Sequence, residues 1–76
     1  MSFQGYLKKI KETTGKEPED FRKQAELKGF TKNGTLKPTV KATEIVAWLK
    51  EDYQLGHGHS MAIYALLKGI KNEQSE

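Results

Sequence analysis

The stretch Leu55-Gly56-His57-Gly58-His59-Ser60-Met61-Ala62 decides how this chain folds, because it joins the two segments with the strongest helical pattern. It holds both histidines of the 76-residue chain and two of its seven glycines. Apolar residues recur every three or four positions over residues 42–53 and 59–70, which is the spacing of one face of an α-helix. The sequence therefore predicts two helices joined by a tight turn, with positive φ angles at the glycines.

Four short helices account for the apolar pattern of the whole chain. Pro18 suits the first position of the second helix, where its missing N–H costs nothing. Asn33-Gly34 marks a turn in a surface loop over residues 31–39, in which a hairpin is conceivable although the flanking residues do not alternate. The predicted architecture is a compact all-α single domain over residues 1–70, with a frayed tail over 71–76. Its helices span about 3–14, 18–28, 41–53 and 58–69.

The last predicted helix is apolar over most of its circumference. A helix of this kind is usually central and packed from several sides. The short connection before it makes the third helix its expected neighbour. Its main apolar face consists of Ile63, Leu66, Leu67 and Ile70, widened by Ala62 and Ala65.

Composition restricts the compartment and the class of partner. The formal net charge is +3 and the isoelectric point about 9.2, which is a weak indication of an anionic partner. The basic residues are scattered along the chain, so a solvated lysine-rich surface is the first interpretation and a nucleic-acid footprint the second. The chain has no cysteine, so disulfide-linked partners and thiolate metal sites are excluded and a reducing cytoplasm is the expected compartment. No apolar run approaches the roughly 20 residues of a membrane span. The N-terminal residues lack the basic and apolar regions of a signal peptide.

The glycine–histidine turn admits a structural and an anion-binding interpretation. In the first, the glycines form the turn and His59 packs against the apolar side of the last helix. In the second, the free N–H groups at the start of that helix hold an anion. The pattern of Gly56 and Gly58 followed by Ala62 resembles the helix-hairpin-helix motif, which implies contact with nucleic-acid phosphates without sequence preference. The candidate ligand-binding residues are Gly56, His57, Gly58, His59, Lys50 and Lys68.

Metal binding and catalysis have weaker support in the same stretch. Two imidazoles are fewer than the three or four protein ligands of a zinc site, and no other ligand is expected to converge on them. His59 and Ser60 are neighbours on a helix, where side chains point about 100° apart, so they do not form a nucleophile–base pair. We therefore expect neither an enzyme nor a cofactor, and we assign no catalytic or metal-binding residue. A histidine-dependent metal site stays open as a third alternative, after nucleic-acid binding and protein binding.

A protein-binding surface is the alternative function. Trp48 borders the apolar face of the third helix, and a border tryptophan either completes a core or anchors an interface. Met61 and Tyr64 lie on the last helix, opposite its main apolar face. They belong to the core if that helix is central, and to an exposed patch if it lies at the surface.

One long block carries a family resemblance. The sequence KATEIVAWLKEDYQLGHGHSMAIY over residues 41–64 resembles the signature of an uncharacterised bacterial family of small domains of unknown function. The similarity extends from Ser2 to about Gly69. Such a family supplies no activity and no catalytic residues to transfer. Its use as a stand-alone or fused unit implies a binding module by analogy alone. The prediction is a non-enzymatic helical binding module for nucleic acid or, alternatively, for another protein.

Overall fold

A computed structural model describes residues 3–70 and contains four helices and a minimal β-hairpin. This confirms the all-α fold class and places each helix end within one residue of its predicted position. The predicted tail over residues 71–76 lies outside the described residues. Within residues 3–70, no helix is long and apolar enough to cross a membrane. The elements are α1 (Phe3–Thr14), α2 (Pro18–Leu27), β1 (Thr31–Lys32), β2 (Thr35–Leu36), α3 (Ala42–Tyr53) and α4 (His57–Lys68).

Helices α2 and α3 begin in the same way, with a carboxylate three residues after the N-cap. Asp20 accepts a hydrogen bond from the backbone N–H of Glu17 at 2.9 Å. Glu44 accepts one from the backbone N–H of Lys41 at 2.8 Å. Each carboxylate also places negative charge at the positive end of its helix dipole. Both helix starts are therefore capped by a residue of the helix itself.

The segment between α2 and α3 forms a hairpin instead of an irregular loop. Strands β1 and β2 are antiparallel, with Thr31 opposite Leu36. Asn33 and Gly34, between the strands, have φ angles of +57° and +77°. Positive φ at both central residues is characteristic of the tight turn that joins two strands, and Asn-Gly is its preferred sequence. The strands are two residues long, which is too short for an alternating pattern to reveal them.

Helix α4 is central, as its composition predicts. It contacts α1, α2, α3 and β2. Ile70 is an exception to the predicted apolar face: it lies beyond the end of α4 and is 64% exposed. The left-handed conformation of Gly69, with φ +86°, turns the chain away before Ile70 can reach the core. The buried apolar residues are Phe3, Leu7, Ile10, Phe21, Ala25, Leu36, Ile45, Trp48, Leu49, Leu55, Ala62, Ile63, Leu66 and Leu67.

An aromatic cluster joins α2 to α3. The ring centroids of Phe21 and Tyr53 are 5.0 Å apart, those of Phe30 and Trp48 5.5 Å, and those of Trp48 and Tyr53 6.1 Å. Lys28 lies outside the cluster, with its Nζ 6.0 Å from the centroid of the Trp48 ring. These contacts bury Trp48, so this side chain completes the core.

The core predicts a large difference between two identical substitutions. Leu49 is fully buried, whereas Leu27 is 79% exposed. Leu49→Ala should lower the free energy of unfolding by about 2–5 kcal/mol, because it removes buried methyl groups and leaves a cavity. Leu27→Ala should change it by about 0.5 kcal/mol or less. Urea denaturation measures both, and equal losses would contradict the placement of these two residues.

The aromatic cluster predicts a loss of stability in alkali. Burial raises the pKa of the Tyr53 hydroxyl above its ordinary value, and the neighbouring Asp52 carboxylate adds to the effect. The neutral phenol is thus favoured in the folded state. Its contribution is complete below the ordinary pKa of about 10 and is lost as the pH rises through the folded-state value. Tyr53→Phe should flatten the alkaline decline in unfolding free energy, measured by urea titrations across this range. Superimposable declines would refute the assignment.

Candidate anion-binding site

The turn between α3 and α4 depends on a residue other than glycine. Gln54 follows the last residue of α3 in the left-handed conformation, with φ +59°, and its N–H donates to the Lys50 carbonyl at 3.0 Å. Gly56 has a φ of −69° and is the N-cap of α4. Gly58 already belongs to the helix. The prediction of positive φ angles at these two glycines is therefore wrong, because Gln54 makes the reversal.

A buried serine in α4 hydrogen-bonds to the backbone of this turn. The Ser60 side chain is fully buried, and its hydroxyl donates to the Leu55 carbonyl over 3.4 Å. Its backbone N–H donates to the Gly56 carbonyl at 2.9 Å. The sequence does not predict this role for a serine. The available signal was position, because Ser60 precedes Ile63 by three residues and Leu67 by seven and so shares the apolar face of α4.

The first turn of α4 lacks the carboxylate found in α2 and α3. It contains no acidic residue, and no side chain caps it. In a helix that starts at His57, the N–H groups of His57, Gly58 and His59 have no carbonyl partner within the helix. The positive end of the helix dipole is therefore uncompensated by any side chain of this turn. Gly56, His57 and Gly58 are exposed, so this end of the helix is open to an anion.

Tyr6 of α1 borders the same turn. A Cβ atom built on Gly58 would lie 3.8 Å from both Cε1 and Oη of Tyr6, an ordinary van der Waals distance. The Tyr6 ring also meets the His59 ring edge-on, with centroids 5.2 Å apart and an interplanar angle of 85°. The Nε2 atom of His59 is buried and has no hydrogen-bond partner. His59 thus packs against α1, while His57 is left exposed.

A shallow apolar groove runs from the start of α4 across α3. Its volume is about 250 Å³. His57 belongs to both features, since it is the first residue of α4 and part of the groove wall. The other α4 residue in the groove wall is the half-buried Met61, one helical turn after His57. The groove is lined by Ala42, Thr43, Val46, Ala47, His57 and Met61.

Sequence comparison identifies the family. The family described as a domain of unknown function (DUF4287) matches residues 2–69. The chain belongs to this family. The predicted membership of a family of unknown function is thereby confirmed. No curated protein and no solved structure matches the DUF4287 chain.

The structure separates several of the predicted site residues. Lys68 is the last residue of α4, about 16 Å along the axis from His57. Its Nζ donates to the Tyr64 hydroxyl at 3.2 Å, so this pair forms a contact of its own. Lys50 is exposed in the last turn of α3. Among residues 3–70, no three histidine, aspartate or glutamate side chains are grouped so that they could hold a metal ion.

The three residues of the predicted protein-binding surface do not form one patch. Trp48 is 6% exposed and belongs to the aromatic cluster. Met61 is half-buried in the groove wall. Tyr64 is half-buried and contacts Lys68. Only Met61 of the three lies at the groove.

The turn geometry predicts opposite effects for two glycine substitutions. Gly58 is helical, and an added Cβ would meet Tyr6 at an ordinary distance. Gly58→Ala should therefore raise the free energy of unfolding by up to about 1 kcal/mol, since alanine is the better helix former. Gly34→Ala should lower it by about 1–2 kcal/mol, because Gly34 has a φ of +77°. Thermal and urea denaturation test both; a loss at Gly58 would mean that α4 does not begin at His57.

Proposed function

We propose that this DUF4287 domain is a non-enzymatic binding module that contacts nucleic-acid phosphates at the start of α4. The observation that carries this proposal is the difference between α4 and the two preceding helices. Asp20 and Glu44 occupy the starts of α2 and α3, whereas α4 has no acidic residue and no side-chain cap in its first turn. An external anion bound there would accept hydrogen bonds from the backbone N–H groups and place negative charge at the helix start, as the carboxylates do in the other two helices.

The groups around this turn suit a phosphate. The backbone N–H groups of residues 57–59 donate without regard to the identity of a base, so the contact would be independent of sequence. A Cβ built on Gly56 would meet nothing within 4 Å, so the backbone is accessible from that side. The exposed His57 imidazole and the hydroxyl of Tyr6 border the same turn and offer further polar contacts.

The charge of the chain favours nucleic acid as the source of the phosphate. Thirteen basic residues outnumber ten acidic ones. Lys8 and Lys9 are exposed on α1, the helix whose Tyr6 borders the α4 turn. Lys50 is exposed on α3 and is a further candidate contact. Each phosphate neutralised by a lysine would release counterions and make the affinity salt-dependent.

Fluorescence anisotropy with labelled DNA tests this function. We expect binding at low salt that weakens steeply as salt is added. His57→Glu places a carboxylate in the first turn of α4, where it should weaken binding roughly three- to tenfold, since a charge at a helix end contributes about 1 kcal/mol. Glutamate is favourable at that position, so the variant should fold.

The matched control is Gln24→Glu, which adds the same negative charge at an exposed position of α2. It should weaken DNA binding by less than about twofold, because it leaves the first turn of α4 unchanged and a single exposed charge is partly screened by salt. Absence of binding at low salt would overturn the proposed function. Equal losses in the two variants would show that net charge, and not the start of α4, determines binding.

A further inference from the structure

We propose that the groove between α3 and α4 accommodates one unpaired base of the strand whose phosphate lies at the start of α4, so that the domain prefers single-stranded to duplex nucleic acid. This inference rests on the proposed function and specifies its ligand. It begins from His57, which is both the first residue of α4 and part of the groove wall. A ligand held at the α4 amides therefore has the groove directly beside it.

The chemistry of the groove complements such a ligand. The groove is lined by six residues, none of them acidic: Ala42, Thr43, Val46, Ala47, His57 and Met61. The end of the groove at His57 adjoins the positive end of the α4 dipole, in a first turn that contains no acidic residue. The complementary ligand has an anionic group joined to a flat body with apolar faces, and a nucleotide unit of a single strand has both.

The imidazole provides a stacking surface for the base. Histidine is among the side chains on which unpaired bases stack. Met61 is unbranched and polarizable, so it adapts its shape to a flat ligand. Stacking of this kind tolerates any base, since every base has a π-face. A base inside a duplex is already stacked and paired, and its face is unavailable to the groove.

Three probes of about 12 nucleotides separate this inference from the proposed function. They are a single strand of oligothymidine, a single strand of abasic deoxyribose phosphates of equal charge, and a duplex. We expect oligothymidine to bind roughly fivefold or more tightly than the abasic strand, the gain expected from stacking one base. The duplex should bind more weakly than oligothymidine.

A groove-filling variant adds a second measurement. Ala47 is exposed in the groove wall, and Ala47→Gln introduces a larger neutral side chain there. It should reduce the ratio of oligothymidine to abasic affinity to about one and leave abasic binding unchanged. Thr13→Gln, at an exposed position of α1, is the control and should preserve the ratio.

Each contrary result has a distinct meaning. Equal affinity for oligothymidine and the abasic strand, or tighter binding of the duplex, would overturn the base-binding inference while phosphate binding stands. No binding of any strand at low salt would overturn both. The methyl resonance of Met61 provides a direct reading of the groove. If a neutral apolar helical peptide shifts it and oligothymidine does not, the groove is a protein-binding site and the inference is wrong.

Discussion

The burial of α4 is the constraint on which the rest of the structure depends. Ala62, Ile63, Leu66 and Leu67 leave α4 with too much apolar surface to lie on the outside of a domain this small. It can be covered only if the chain passes it on several sides, and α1, α2, α3 and the hairpin all contact it. Each of those elements is short because each has only to cover one side of a 12-residue helix. The start of α4 remains open, with His57 and Gly58 exposed.

Much of this arrangement follows from local patterns in the sequence. The four helices are encoded by apolar spacing and by end signals such as Pro18, which act within one or two turns of the chain. The central position of α4 follows from its composition. For residues 31–39 the sequence predicts a surface loop and leaves a hairpin only conceivable, because strands of two residues carry no period. The reversal at Gln54 was not predicted, because a non-glycine residue with positive φ is uncommon and leaves no mark in the sequence.

The sequence indicates the turn at which the candidate site is predicted, but not the side chains that surround this turn. The glycines and histidines located it, and the structure supports an accessible helix start at that place. The role of Tyr6 depends on a contact between α1 and α4, which are separated by most of the chain. The burial of Trp48 likewise depends on its ring contacts with Phe30 and Tyr53. Lys68 lies apart from the start of α4, because the length of the helix separates its first and last residues. Side-chain neighbours of this kind are set by tertiary packing, which spacing alone does not reveal.

The position of Trp48 has a consequence for how this domain can be observed. It is the only tryptophan of the chain, and it is buried between Phe30 and Tyr53 at the junction of α2 and α3. It does not line the groove of α3 and α4, whose wall is formed by other side chains. Its indole emission therefore reports on the integrity of the core, while the histidine and methionine resonances report on the open end of α4. Two independent signals, one for folding and one for occupancy, are thus built into the same small chain.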